Sequence, residues 1–326
     1  MLNDDRAVLA SLYRATGADL PLADPAAAHG VPFEGYYWRI ADARSNAVIV
    51  ALSAVCRDRG GDTWGLSTLA AHPGGFARTT ITRTANADRH RFGVRAEGVL
   101  NGDANEVSVD MGPDARLAVT LRDAVVWPRR AYGALGLAHA VPRLPQYWHP
   151  VVLSARADGR ITAGELSLEL DGAAGYAEKN WGRGFPGRWW WGHAASFDDD
   201  VSVSFAGGPL RLLGADVAPS AVVLRLGRDA IALAPPRARM RAAAGDGEWR
   251  VCARGRGYDV EIAGDAAGGR AHELLVPIPG ERRGELRSRQ QLAGELSLRV
   301  RRGRRLLYHG RSPLAGLELG APRALT

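Results

Sequence analysis

The sequence predicts an all-β protein built in two halves, each a sandwich or barrel of short antiparallel strands. Segments of about four to eight residues alternate between apolar and polar side chains, and turn residues separate them about every 8–12 residues. The chain contains 40 glycines and 18 prolines, which favours many turns over long helices. No βαβ rhythm and no phosphate-binding loop accompany this pattern.

One helix is predicted, near the start of the chain. Asn3 or Asp4 can cap its beginning, and Gly17 lies past its end. Four apolar residues fall on one face of this helix: Val8, Leu9, Leu12 and Tyr13.

After a connector rich in proline and alanine (20–32), the pattern changes to period two and predicts hairpins. In the first of them, the alternating segment 107–109 is followed by a turn at 112–115 and by a second alternating segment, 117–121. The others pair 151–153 with 166–170 after a turn at 158–159, 222–226 with 231–233, 249–253 with 258–262, and 296–300 with 306–309.

The stretch 133–150 is rich in glycine and proline and lacks alternation, so it predicts a boundary between two domains. The expected domains are 1–150, an N-terminal barrel with the leading helix, and 151–326, a C-terminal barrel. The second domain then carries the segment 176–193, where the most unusual residues of the chain occur.

Composition excludes several functions. The net charge is +7, but the arginines are scattered and no recognition motif accompanies them, so nucleic-acid binding is not predicted. Contact with an anionic membrane surface stays open. The N-terminus is acidic where a signal peptide is basic, and no apolar run is long enough to span a bilayer, so we expect a cytoplasmic protein. The oligomeric state stays open.

The segment 176–193 (YAEKNWGRGFPGRWWWGH) holds four of the nine tryptophans and the only lysine, Lys179, among 42 lysine and arginine residues. A lone lysine indicates a position that requires a compact ammonium group. Ionisable side chains beside several indoles are typical of a pocket that handles charge at low dielectric.

Glu178 and Lys179 point to opposite faces if their segment is a strand. An inward Glu178 among tryptophans would have a raised pKa and could act as a general acid, whereas an inward Lys179 would hold an anionic oxygen. Alternatively, each satisfies a structural partner at a barrel rim.

Two further aromatic groups carry titratable residues, one with His149, which could transfer a proton near neutral pH, and one with Glu34, a second candidate acid. Of the run Trp189, Trp190 and Trp191, two must share a face and the middle one must oppose them. The candidate catalytic residues are Glu178, Lys179, Asn180, His149 and Glu34. The candidate substrate-binding residues are Trp181, Trp189, Trp190, Trp191, Tyr176, Tyr147, Trp148, Tyr37, Trp38 and His193.

No histidine or cysteine cluster has metal-ligand spacing, and no serine-hydrolase signature is present, so neither a metal nor another cofactor is predicted. The glycines of 182–187 match a dinucleotide-binding pattern in spacing, but Pro186 and the missing helix argue against such a site.

At three places the sequence resembles the tocopherol cyclase family. The segment 177–182 (AEKNWG) followed by Phe185-Pro186 is the most specific; the segment 33–37 (FEGYY) and the segment 272–279 (HELLVPIP) are weaker. The resemblance implies two lipocalin-like barrels in tandem, in agreement with the two-half all-β pattern, and a cofactor-independent cyclase of a prenylated substrate.

By this resemblance, a protonated acid, Glu178 or Glu34, donates a proton to the alkene of a prenylated hydroquinone held inside the barrel. The tertiary cation lies over an indole, and the phenol oxygen attacks it to close a ring. Lys179, Asn180 or His149 orients or deprotonates that oxygen. Arg183 and Arg188 depart from the family pattern and favour a different, anionic head group.

Two alternatives stay open. One is a carotenoid-type hydratase or dehydratase, or a cycloaddition catalyst, which handles the same kind of unsaturated substrate. The other is a non-catalytic lipocalin-like carrier of apolar ligands, since such barrels bind more often than they catalyse. An acid with a raised pKa facing the same cavity as the tryptophans would favour an enzyme over a carrier.

Overall fold

Antiparallel β-structure makes up most of the molecule, as two large sheets that follow one another along the chain. The computed structural model describes residues 2–20, 23–128, 132–197, 200–212, 215–245, 247–266 and 269–321. Each sheet curves into a nearly closed barrel, and a short helix, α1 (Leu2–Arg14), precedes them. The predicted all-β class with two barrels in tandem and an N-terminal helix is confirmed.

The first sheet consists of eleven strands: β1 (Phe33–Asp42), β2 (Ala47–Arg57), β3 (Thr63–His72), β4 (Phe76–Thr82), β5 (Ala85–Ala87), β6 (Gly93–Ala96), β7 (Leu100–Asp103), β8 (Glu106–Asp110), β9 (Ala115–Val126), β10 (Gln146–Ala163) and β11 (Leu166–Gly182). Their spatial order is β4-β3-β2-β1-β11-β10-β9-β8-β7-β6-β5. The last strand in sequence, β11, therefore lies between β1 and β10. A 3₁₀ helix (Gly136–Ala140) precedes β10.

The second sheet contains ten strands: β12 (Trp189–Ala194), β13 (Val201–Gly207), β16 (Ser220–Leu226), β17 (Asp229–Leu233), β18 (Ala238–Gly245), β19 (Glu248–Gly255), β20 (Tyr258–Asp265), β21 (His272–Ile278), β22 (Arg283–Arg302) and β23 (Arg305–Gly320). A separate hairpin joins β14 (Leu210–Leu212) and β15 (Ala215–Val217), and a 3₁₀ helix (Pro279–Glu281) follows β21. The order is β17-β16-β13-β12-β23-β22-β20-β19-β18, and β21 pairs with β22.

Four of the five predicted hairpins form as the alternation indicates. For example, β8 pairs with β9 so that Val107 faces Val119 and Val109 faces Leu117. The hairpin of β10 and β11 differs, because its turn lies at 164–165. Gly159 lies within β10 beside a register shift, so the predicted turn at 158–159 is an irregularity of one long strand.

The N-terminal helix differs from expectation in its details. It begins at Leu2, so Asn3 and Asp4 lie inside it, while Gly17 follows its end with a positive φ of 90°. Its apolar residues Val8 and Leu9 are 56% and 66% exposed, so the helix does not bury them. No helix in the described part of the chain combines the length and apolarity needed to cross a bilayer.

The division between the two sheets differs from the predicted boundary at residue 150. Strand β10 already begins at Gln146, and β11 continues the first sheet to Gly182. The second sheet begins at Trp189. The segment 177–182 therefore belongs to the first sheet, because every residue of this segment pairs with β1, with Glu34 opposite Trp181. Local glycine and proline content could not reveal this long-range pairing.

Alternation along β1 sends side chains either into the first barrel or toward the second sheet. Trp38 and Ile40 belong to the core of the first barrel, whereas Tyr37 belongs to an apolar cluster that includes Trp191 and Leu292 of the second sheet. The second barrel has an apolar core of its own. The two sheets therefore pack on each other through the outer face of β1 and its neighbours.

Arg39 is a deeply buried polar link between the sheets. Its side chain is almost fully buried, and its Nη2 donates to the carbonyl oxygens of Leu292 at 2.8 Å and Leu314 at 2.6 Å. Burial lowers the pKa of Arg39 to about 10, which leaves the guanidinium charged at neutral pH. The charged donor thus satisfies two buried carbonyls of the second sheet.

We predict that Arg39→Leu lowers the free energy of unfolding by about 2–5 kcal/mol, because two buried carbonyls lose their donor. Urea titration followed by tryptophan fluorescence measures it. The control Arg116→Leu removes an exposed arginine of the same sheet and should change stability by less than about 1 kcal/mol. Equal stability of both variants would contradict the assigned role of Arg39.

Candidate active site

A cavity of about 290 Å³ lies between the two sheets, outside both barrel interiors. Strands β1, β2, β10 and β11 line one side, and β12, β21, β22 and β23 line the other. The lining is mostly apolar and aromatic, as in typical small-molecule sites. Among the described residues that line it, Glu178 and Glu318 are the only ones with ionisable carboxyl groups, and none is a lysine or arginine.

Glu178 presents a buried carboxyl to this cavity and receives three hydrogen bonds on one oxygen. Its Oε2 accepts from Nε1 of Trp148 at 2.7 Å, from the hydroxyl of Tyr176 at 2.5 Å and from Nε1 of Trp191 at 2.9 Å. Burial raises the pKa of Glu178 to about 7, although the three hydrogen bonds act in the opposite direction. Near neutral pH, a large fraction of this carboxyl is therefore protonated.

The proton of the neutral Glu178 carboxyl belongs on Oε1. The two indole groups that contact Oε2 can only donate, so Oε2 is occupied as an acceptor. No described residue donates to Oε1, and Glu178 lines the cavity. The carboxyl is thus held by one oxygen while the other is left to act on a bound molecule.

Lys179 lies on the other face of β11, because successive side chains of a strand alternate. It is fully buried, and its Nζ lies 2.8 Å from Oε2 of Glu34, 2.7 Å from the carbonyl of Ala27 and 2.9 Å from Nδ1 of His29. Burial lowers the pKa of Lys179, and the Glu34 carboxylate opposes that shift.

This network continues away from the cavity. Nε2 of His29 lies 3.0 Å from Asp19, and burial raises the pKa of Asp19 to about 6. Glu34 also accepts from the backbone N–H groups of His29 and Gly30. The structure therefore pairs Lys179 with Glu34 away from the cavity. There the two residues tie the segment before β1 to the first barrel.

Three other predicted residues also lie away from the cavity. His149 is opposite Lys179 in the β10–β11 pair, its Nδ1 accepts from the N–H of Ala134 at 3.3 Å, and burial lowers its pKa well below the usual range. Trp181 stacks on His29 with ring centres 4.4 Å apart. Trp38 packs in the first barrel and donates to the carbonyl of Asp103.

The remaining predicted residues lie beside Glu178 or line the cavity. Tyr176 donates to it, and His193 stacks on Tyr176 with ring centres 3.9 Å apart. Burial raises the pKa of Tyr176 and lowers that of His193. The residues that line the cavity directly are Tyr37, Tyr147, Trp148, Asn180, Trp189, Trp190 and Trp191.

The tryptophan run divides between the two faces of β12 as the alternation indicates. Trp191 donates to Glu178, and Trp189, on the same face, donates from Nε1 to Oε1 of Glu318 at 2.7 Å. Trp190 packs against the core of the second barrel and also borders the cavity. The two outer indoles therefore each hold one carboxyl group.

Glu318 is a cavity residue that sequence analysis missed. Its Oε1 accepts from Trp189 and from the hydroxyl of Ser288 at 2.9 Å, and burial raises its pKa. Because apolar Leu317 and Leu319 flank it, the sequence pattern around Glu318 is typical of a residue on the exposed face of a strand. Only its pairing with Trp191 across β12 and β23 places it at the cavity, and no local sequence signal reveals that pairing.

Arg183 and Arg188, which favoured an anionic head group, do not line the cavity. Two buried acceptors do line it and have no hydrogen-bond partner among the described residues: Oδ1 of Asn180 and Oε1 of Gln290. Free acceptors and carboxyl groups suit a ligand that donates hydrogen bonds better than one that carries negative charge.

Comparison with known proteins identifies relatives of this chain. The sequence profile of the tocopherol cyclase-like family matches residues 63–321. The chloroplast tocopherol cyclase of Zea mays is 29% identical over 124 residues, which are 36% of this chain and 26% of the maize protein. A probable tocopherol cyclase of Oryza sativa subsp. japonica is 27% identical over 124 residues, again 26% of its length.

Two solved structures share the fold. CghA has a TM-score of 0.59 at 13% identity, with 91% of this chain and 90% of CghA covered. Kievitone hydratase from Nectria haematococca has a TM-score of 0.52 at 10% identity, with 89% and 88% covered. At these identities the likeness extends to the fold alone.

We predict that Lys179→Met lowers the free energy of unfolding by about 3–5 kcal/mol, because it leaves the Glu34 carboxylate buried without its ion-pair partner. The double variant Lys179→Met/Glu34→Gln should lose less than the sum of the two single variants. Urea unfolding of all three measures the coupling. Arg160→Met, which breaks an exposed ion pair with Glu169, is the control. Strictly additive effects would contradict a coupled buried pair.

The Glu178 carboxyl predicts a pH-dependent stability. Its pKa is about 7 in the folded chain against an ordinary value of 4.5, so the folded state binds this proton more tightly than the unfolded state. The free energy of unfolding therefore falls as pH rises from about 4.5 to about 7, by on the order of 3 kcal/mol for this group.

Glu178→Gln should remove this contribution, so that the stability of the variant falls less between pH 5 and pH 8 than that of the wild type. Tyr176 and Glu318, which also interact with this carboxyl, are present in both proteins. Glu169→Gln changes an exposed carboxyl of the same strand and is the control. Parallel pH profiles for Glu178→Gln and the wild type would refute the raised pKa.

Proposed function

This chain belongs to the tocopherol cyclase-like family, and from that premise and its cavity we propose that it is an enzyme that protonates the alkene of an apolar, isoprenoid substrate and directs ring closure at the resulting cation. The observation that carries the proposal is the Glu178 carboxyl, which has a pKa of about 7, is tethered by one oxygen and lines an aromatic cavity. A carrier of apolar ligands needs no such acid.

The tether prepares Glu178 for general-acid catalysis. Its proton lies on Oε1, which faces the bound substrate, while two indoles and the Tyr176 hydroxyl stay on Oε2. When Oε1 gives up its proton to the alkene carbon, these three donors already point at the carboxylate that forms. Preorganised donors of this kind stabilise developing charge without reorganisation.

The cavity lining suits the cation. The aromatic rings of Trp148, Trp189 and Trp191 line the space beside the acid, and indole faces attract positive charge. The Glu178 carboxylate left behind is a counter-charge in the same low-dielectric space. A mostly apolar lining also limits the water that would otherwise capture the cation.

The nucleophile decides the product. A hydroxyl on the substrate itself closes a ring and yields an isomer, which is the proposed reaction. Water at the same position yields a tertiary alcohol, as a hydratase would. Hydration is the second candidate reaction, because the free acceptor on Asn180 or Gln290 could hold one water molecule in an otherwise apolar lining.

We predict that Glu178→Gln lowers turnover by about 10²–10⁴-fold and changes ligand affinity little, since the amide keeps the shape and cannot donate the proton. The wild type and the variant are incubated with a panel of prenylated hydroquinones and polyenes, and the products are analysed by mass spectrometry. The control Glu169→Gln should retain full activity.

An isomer of the substrate supports cyclisation, and a product heavier by one water supports hydration. Tight binding without any product from any panel member would favour the carrier. Full activity of Glu178→Gln would remove the assigned acid, whatever the product.

A further inference from the structure

The cavity contains a second carboxyl that resembles the first in its anchoring. Glu178 is held on Oε2 by Trp191, and Glu318 is held on Oε1 by Trp189 and Ser288. Trp189 and Trp191 are two residues apart on β12, so their side chains share a face at a spacing of about 7 Å. Two indoles of one strand, β12, therefore hold two carboxyl groups at the same cavity, one from β11 and one from β23.

Gln290 completes a polar group beside Glu318. The two residues lie directly opposite each other in the pairing of β22 with β23. Nε2 of Gln290 donates to the hydroxyl of Tyr37 at 2.8 Å, which orients the amide and leaves Oε1 without a partner among the described residues. No described residue donates to Oε2 of Glu318 either. Each side chain is thus fixed by one atom and presents a free acceptor.

Two free acceptors, with no lysine or arginine among the described lining residues, define the ligand that fits this end of the cavity. An anionic head group would meet a carboxyl and no neutralising charge, which is unfavourable in a buried site. A hydroxyl-bearing aromatic ring would donate to Glu318 or Gln290 and place its apolar body against the indoles.

We infer that Glu318 and Gln290 form the head-group site of this cavity, which holds a phenolic hydroxyl, and that Glu318 accepts the proton of that hydroxyl during ring closure. This inference rests on the proposed function and supplies its second proton-transfer group. Lys179 and His149 cannot take that role, because both lie outside the cavity.

The proton transfers balance. The O–H bond of Glu178 breaks as its proton forms a C–H bond with the alkene. The phenol oxygen forms a C–O bond to the cation, and its proton passes to Oε2 of the Glu318 carboxylate. The substrate is isomerised without gain or loss of atoms. Afterwards Glu318 is protonated and Glu178 is ionised, and return of the proton from Glu318 to Glu178 restores the starting state.

Burial raises the pKa of both carboxyls, and the charge on Glu318 raises that of Glu178 further. Two carboxylates in one buried space oppose each other, so an ionised Glu318 favours a neutral Glu178. This is the protonation state that an acid and a base acting together require.

The test uses trimethylhydroquinone and its dimethyl ether, which lacks the hydroxyl hydrogens, as probes of the full chain. Quenching of tryptophan fluorescence measures both affinities. We expect the wild type to prefer the hydroquinone by at least about tenfold and Glu318→Gln to lose most of that preference. Glu273→Gln, an exposed carboxyl of β21, is the matched control and should keep it.

Turnover gives the second readout. With any panel substrate that the wild type converts, Glu318→Gln should lower kcat by about 10²-fold or more while KM changes less than threefold. Since Trp189 and Ser288 can still donate to the amide oxygen, the variant should fold, which circular dichroism checks. If Glu318→Gln does not fold, Gln290→Met replaces it in the test and must lose the preference for the hydroquinone.

The outcomes separate the two proposals. Loss of the preference in Glu318→Gln without turnover of any panel member by the wild type would support the head-group site and count against the cyclase. Retained preference and retained turnover in this variant would overturn the role of Glu318 and leave Glu178 as the acid. An equal affinity of the wild type for the two probes would also overturn the head-group site.

Discussion

The hydrogen bond from Trp191 to Glu178 joins the two sheets at the point where the cavity forms. The donor belongs to β12, the first strand of the second sheet, and the acceptor belongs to β11, the last strand of the first. Trp148 and Tyr176 hold the same oxygen from the first sheet. The burial that raises the pKa of this carboxyl therefore exists only when both sheets are in place.

The chemical character of the site depends on strand alternation in β11. Consecutive residues, Glu178 and Lys179, are both buried, and each lies in a different space. Lys179 faces the first barrel, where Glu34 neutralises it, and Glu178 faces the inter-sheet cavity, where no lysine or arginine lines the described wall. A one-residue change of register would exchange the two charges and remove the acid from the cavity.

The barrels themselves serve a structural purpose. Their interiors are filled by apolar side chains, and the ligand space lies between them instead. The sequence-based hypothesis of a substrate inside a barrel therefore differs from the structure. Ligand sites at the contact between two packed units are common, because imperfect packing there leaves concave surface. Here Arg39 and the apolar cluster around Leu292 fix that contact.

The alternation of apolar and polar residues determined the all-β class and most hairpins, because neighbouring strands are short-range features of the chain. The composition of 176–193 likewise predicted an acid beside indoles, and the structure places Glu178 and the tryptophans of 189–191 at one cavity. The position of Lys179 in an ion pair, the division of the sheets after Gly182 and the presence of Glu318 at the cavity were decided by tertiary structure alone. These three depend on pairings between strands distant in sequence, β1 with β11 and β12 with β23, and such pairings leave no local signal.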